Sequence, residues 1–139
     1  MKAYVKYETP SDVKQKALEA IELAKAGLRK GTNEVTKAIE RAEARLVVIA
    51  EDVDPEEIVM HLPMICAEKK IPYVYVTDKA SLGKAAGLAV GTSAVAITKP
   101  GAGEALLKEI LQKISGMIPG QSDEKKALEE KKPEVKKKK

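Results

Sequence analysis

Leu46-Val47-Val48-Ile49-Ala50 decides the fold class. The run is too short for a helical stripe and too continuous for a half-exposed strand, which is the pattern of a strand covered on both faces. Helix signals flank it on either side. Downstream, Asp54-Pro55-Glu56-Glu57 supplies a capping Asp, a Pro at the first helical position and two acids at the positive end of the helix dipole. Ile58, Leu62, Ile65 and Cys66 form the apolar stripe of that helix, and Pro63 within it predicts a kink or a shifted start. Upstream, a helix opens near Thr32 with Val35, Ala38, Ile39 and Ala42 on one side.

The same alternation continues outward. Thr9-Pro10 reads as a cap followed by Pro, and Val13, Ala17, Ile21, Ala24 and Leu28 follow at helical spacing until Gly27 or Gly31 ends the helix. Tyr73 to Val76 is a β-rich strand after Pro72. Ser81 to Ala86 is a short helix closed by Gly87. Ala94 to Thr98 is a strand ended by Lys99-Pro100-Gly101. Leu107, Ile110, Leu111, Ile114 and Ile118 mark a last helix, and Ala3 to Lys6 is read as an extra edge strand. Strands alternating with helices predict an α/β domain with helices on both faces of a small sheet.

The 139 residues suit one domain with a real core. One Cys excludes an internal disulfide framework and a Cys-rich zinc site, and it fits a reducing, cytoplasmic setting. The first ten residues hold no apolar run of the kind a signal peptide needs, and the run at 46–50 is far short of a membrane span. Aromatic residues are 3% of the chain, with no Phe and no Trp, which weakens a base-stacking platform for single strands.

The net charge of +4 hints at a nucleic-acid partner, but it is unevenly placed. Residues 121–139 hold eight Lys and five acidic residues, whereas residues 1–120 hold 17 basic and 16 acidic side chains. Two segments are therefore expected: a folded domain over 1–120 and a Lys/Glu-rich disordered tail over 121–139. The tail reads either as a solubilising segment or as an arm that attracts phosphate.

Catalytic and cofactor patterns are weak. His61 and Cys66 lie five residues apart on one expected helix, so their side chains diverge too far for a dyad. Each reads as structural. Gly101-Ala102-Gly103 opens a helix after a strand but lacks the third glycine and the later acid of a dinucleotide fingerprint, and Gly83-Lys84 lacks the rest of a P-loop. No cofactor and no metal is expected.

Arg29-Lys30-Gly31-Thr32-Asn33-Glu34-Val35-Thr36-Lys37 is the most unusual stretch. A basic pair leads into a glycine turn and then a helix start, whose unpaired N–H groups suit phosphate. Asn33, Lys37 and Arg41 share one helix face with Glu34 at its edge, opposite Val35, Ile39 and Ala42. Asn donates and accepts, Glu only accepts, and Lys only donates. That set suits base edges, since a carboxylate among phosphates needs donors such as guanine N1–H and N2–H₂. The residues alone leave open an ordinary capped helix with a solvated face.

The order of motifs adds to this. Lys30 to Arg41, Leu46 to Asp52, Asp54 to Ile58, His61-Leu62-Pro63, Ile71 to Val74, Leu82 to Gly87 and Ala94 to Ile97 together resemble the kink-turn-binding ribosomal proteins of the archaeal L-seven-Ae family. The resemblance spans roughly residues 3–118. It implies a three-layer α/β/α sandwich with a small mixed sheet of about four strands.

It also implies a non-enzymatic protein, monomeric when free, that stabilises kink turns, which are bent RNA elements with tandem sheared G·A pairs. The implied settings are the large ribosomal subunit, box C/D and H/ACA guide ribonucleoproteins with their core proteins, and RNase P in tRNA processing. Ribosomal RNA and guide RNAs are the implied ligands. By position, Asn33, Glu34 and Lys37 would read guanines, and Gly31 and Thr32 would admit the RNA backbone. Arg41 and Lys79 would touch phosphates. Asp54, Ile58 and the loop at Leu88, Ala89 and Val90 would meet a flipped-out nucleotide and its neighbours. That loop lacks the Glu or the Arg-Pro pair of some relatives, which argues for broad acceptance of kink turns. The alternative is a small-ligand or nucleotide-binding α/β enzyme using the glycine turns.

Overall fold

The computed structural model describes residues 4–53 and 55–114. In chain order the elements are α1 (Ser11–Leu23), β1 (Leu28–Lys30), α2 (Thr32–Glu40), β2 (Leu46–Ala50), α3 (His61–Lys69), β3 (Tyr73–Val76), α4 (Lys79–Ala85), β4 (Ala94–Ile97) and α5 (Glu104–Ile114). The sheet has four strands in the order β1-β4-β2-β3. β4 is antiparallel to both β1 and β2, while β2 and β3 are parallel. One group of helices, α1, α4 and α5, packs around α1, which lies on β3; α2, paired with α3, lies on β1 and β4. The helices lie on both faces of a small sheet, as the pattern predicted, and the mixed four-stranded α/β/α sandwich is the one the resemblance implied.

The apolar run at 46–50 earns its place by position. β2 lies between β4 and β3, and all five of its residues are buried, as are all residues of β3 and β4. Val47↔Tyr73 and Val48↔Val95 set the registers on its two sides.

The edge of β3 is covered by the N-terminal arm rather than by another strand. Thr9 Oγ1 accepts from the Tyr75 N–H at 3.1 Å, and the Tyr7 hydroxyl donates to the Tyr73 carbonyl. Tyr4, Tyr7, Tyr73 and Tyr75, all the tyrosines of the chain, gather there in one cluster with tilted and edge-to-face rings. Side-chain hydroxyls thus complete an edge that would otherwise template another chain.

Several expectations change. Tyr4 to Lys6 form no strand; they belong to this arm. Thr9 does not cap α1, because its hydroxyl serves β3, and Pro10 occupies the cap position instead. Leu28 opens β1 rather than closing α1, and the basic pair Arg29-Lys30 that leads into the glycine turn is strand. Three residues with no β-branched member carry too little strand signal to be seen beforehand.

The helix expected from Asp54 begins only at His61, after a single turn at Glu56–Ile58. Pro63 therefore sits in the first turn, where no N–H is needed, and the helix has no reason to kink. Ala42 is exposed and left-handed (φ 59°), so it ends α2 instead of joining its apolar face. Ile118, Asp54 and the segment 121–139 lie outside the described residues.

Candidate nucleic-acid interface

The strand directions bring four connections to one end of the sheet. β1, β2 and β3 end there and β4 begins there, with Lys30 opposite Val95, Ile49 opposite Ala94, and Ala50 opposite Val76. The α2 start, the turn after β2, the α4 start and the 86–93 loop therefore converge. Hydrogen bonds tie each to the next. Thr32 Oγ1 and Ser93 Oγ lie 2.6 Å apart, and Gly31 N–H donates to the Ala94 carbonyl at 2.9 Å. Thr92 N–H donates to the Lys79 carbonyl at 3.1 Å, and Lys79 N–H donates to Asp52 Oδ1 at 2.9 Å.

Gly31 stands at the N-cap of α2 with φ 90°, and no side chain caps the turn. A Cβ at Gly31 would meet no atom within 4 Å, so the glycine is required by its backbone angle and leaves open space in front of the helix start. Asn33, Glu34 and Lys37 all project to solvent from the first turns of α2, while Val35, Ala38 and Ile39 are buried behind them. Glu34 and Lys37 sit 3.9 Å apart with more than half of each side chain exposed. Such a pair is worth at most about 1 kcal/mol, so either group can be redirected to a ligand at little cost.

Facing this strip is the loop after α4. Leu88 is half-buried and held by its N–H to the Gly83 carbonyl, while Ala89 and Val90 are exposed, Val90 by 72%. Gly83 does more than punctuate a helix: a Cβ there would lie 2.1 Å from the Val90 carbonyl oxygen. Its absence lets the loop lie against α4. Ile58, 42% exposed, presents an apolar surface from the turn before α3, and the Lys79 side chain is exposed at the start of α4. Arg41 is also exposed but stands apart. It lies at the far end of α2, about 13 Å from Thr32 along the helix axis.

His61 and Cys66 take structural places. Thr36 Oγ1 donates to the Thr32 carbonyl at 2.8 Å, which commits its only proton. The His61 Nε2 at 2.8 Å must therefore be the donor to that hydroxyl, and the ring pins the start of α3 to the middle of α2. Cys66 is fully buried, and burial pushes its thiol up to about 12. Among the described residues no group of three or more His, Cys, Asp or Glu can hold a metal ion. Two surface cavities of about 260 and 360 Å³ lie toward the opposite end, around Lys99, and their linings contain no His or Cys.

A model of the ribosomal protein L7Ae/L30e/S12e/Gadd45 family matches residues 14–107. The chain belongs to this family. The family's description names ribosomal proteins. It is similar in structure to the Giardia lamblia 15.5kD RNA binding protein, with a TM-score of 0.79 and 31% sequence identity. That match covers 85% of this chain and 100% of the relative. No helix among the described residues is long and apolar enough to cross a membrane.

The α2 strip read from helical spacing and the Ala89-Val90 loop implied by the resemblance are both exposed at this end of the sheet. Asp52 and Tyr4, which hold the neighbouring turn, were not expected there, because bonds from Asp52 to Lys79 and from Tyr4 to Val53 join residues 27 and 49 positions apart and leave no local pattern.

Proposed function

We propose that the chain is an RNA-binding protein that recognises kink turns and stabilises their bent form. The observation that carries this reading is the convergence of the Asn33-Glu34-Lys37 strip with the exposed Ala89-Val90 loop around an open helix start at Gly31. The Giardia relative is named as RNA-binding, and the full length of its chain is matched. Asn33, Glu34 and Lys37 read guanine edges of sheared G·A pairs. The main chain at Gly31 and Thr32 lies close to the RNA backbone, and Ile58, Leu88, Ala89 and Val90 pack against an unstacked nucleotide. Lys79 and Arg41 neutralise phosphates, Arg41 from further along the stem. Asp54 belongs to the same turn by sequence. Binding only the bent form draws the RNA's own equilibrium toward it.

A folded unit over 1–120 followed by a separate basic segment fits this reading. Lys113, near the end of α5, pairs with Asp12 at the start of α1, and Lys14 there reaches Glu51 and Thr77 at the convergent end. The eight Lys of residues 121–139 act as an arm for phosphates without reading bases. The RNAs are those of the large ribosomal subunit and of box C/D, H/ACA and RNase P particles, in an archaeal cytoplasm, with the particles' core proteins docking on the complex.

The test is a titration of a kink-turn RNA against the same RNA with its G·A pairs changed to Watson–Crick pairs. Strong preference for the kink turn is expected. Equal affinity for the two would refute the reading.

A further inference from the structure

The hydrogen bonds that hold the turn after β2 come from outside it. Tyr4 is fully buried, and its hydroxyl sits between the end of β2 and the residue after the turn. It donates to the Ala50 carbonyl at 2.7 Å and accepts from the Val53 N–H at 3.0 Å. One hydroxyl thus completes the two main-chain groups that flank Glu51 and Asp52. The ring packs against Tyr75, whose own hydroxyl donates to the Tyr4 carbonyl at 2.5 Å. Burial raises the Tyr4 phenol above its ordinary value, which keeps the donated proton in place.

Asp52 reaches out of the same turn. Its carboxylate accepts the Lys79 N–H at 2.9 Å, at the first residue of α4. Asp78, in the N-cap position of α4, makes no side-chain cap bond, so the capping comes from a different loop. The Lys79 carbonyl then holds Thr92 of the 86–93 loop, and Gly91 packs closely on Lys79, leaving a Cβ only 3.1 Å from that carbonyl oxygen.

We propose that Tyr4 and Asp52 are positioning residues for RNA recognition, forming a hydrogen-bond relay from the N-terminal arm through the turn after β2 to the 86–93 loop. The relay sets the separation of two surfaces that meet the RNA, Ile58 on one side and Val90 on the other. The inference rests on the RNA reading above. Asp52 is the informative member. An exposed carboxylate near phosphates opposes binding by its charge, so only its acceptor geometry gives it a favourable part.

Charge and geometry predict opposite signs. Asp52→Ala removes both the charge and the acceptor and should weaken kink-turn binding about threefold; Asp52→Asn removes the charge but keeps an acceptor and should bind at least as tightly as the wild type. Tyr4→Phe keeps the ring, leaves the Ala50 carbonyl and Val53 N–H without partners, and should weaken binding about tenfold. Amide hydrogen exchange on the full chain, without RNA, supplies an independent readout. In Tyr4→Phe the Val53 amide, and in Asp52→Ala the Lys79 amide, should exchange faster while Val48 in the core is unchanged. Tighter binding by Asp52→Ala, or unchanged binding and exchange in Tyr4→Phe, would overturn the relay. A wild type that does not prefer the kink turn would instead overturn the RNA reading and leave the exchange result standing.

Discussion

Removing the Glu34 carboxylate separates base reading from simple attraction to phosphate. In the free protein Glu34 contributes little. Its side chain is 55% exposed, its pairing with Lys37 is long at 3.9 Å, and it lies in the first turn of α2. An exposed pair contributes at most about 1 kcal/mol, and an acid near a helix start about 0.3–1 kcal/mol. Glu34→Ala should therefore fold normally and lose at most about 1–2 kcal/mol of stability.

Binding should respond differently. If Glu34 accepts from guanine N1–H and N2–H₂, its loss costs about 1–3 kcal/mol, which is about 5- to 150-fold in affinity. If the α2 strip only attracts phosphate, deleting a negative charge beside the RNA should tighten binding. Fluorescence anisotropy at one fixed salt concentration decides, using the kink turn and its Watson–Crick control. The expected result is weaker binding to the kink turn with unchanged or tighter binding to the control. Equal or tighter binding to both RNAs would refute the assignment of Glu34 as a base reader.

Three further outcomes follow from the same geometry. Truncation before residue 121 should flatten the dependence of affinity on salt, by a slope of about 1–3 for the lost phosphate contacts, without changing the preference for the kink turn; a lost preference would give the segment a reading role. Raising pH should destabilise the fold. Burial holds the Cys66 thiol and Tyr73 phenol at about 12 and raises Tyr7 and Tyr75 as well. The unfolded chain therefore gives up these protons first, and their contribution, whole below about pH 8.5, falls by up to about 1.4 kcal/mol per pH unit per group above the unfolded values. Urea titrations at pH 8 and pH 11 check the sign, and thiol labelling at pH 8 should be slow until urea is added. Finally, Ala42→Gly should raise stability by about 0.5–1 kcal/mol in thermal melts, because exposed Ala42 holds φ 59° at the end of α2.

Much of this protein was legible in its residue order. The run Leu46 to Ala50 gave a doubly covered strand because continuous apolarity has no other stable place in a short α/β chain. The polar strip of α2 was legible because helical spacing alone puts Asn33 and Lys37 on one side and Val35 and Ile39 on the other. Local chemistry misled where tertiary partners outbid it. Thr9 has the makings of a cap, but its hydroxyl is claimed by the edge of β3. Asp54-Pro55 has the makings of a helix start, yet α3 opens six residues later, where His61 meets Thr36.

What only the tertiary structure decided is how the separate pieces of the interface are held together. Strand direction brings the α2 start, the turn after β2 and the 86–93 loop to one end of the sheet. The bonds that lock them, Thr32 to Ser93, Lys79 to Asp52 and Tyr4 to Val53, join residues 61, 27 and 49 positions apart. Periodicity and capping are local properties of a chain and can be read along it. A hydrogen bond between distant loops depends on sheet order and register, which no single segment encodes.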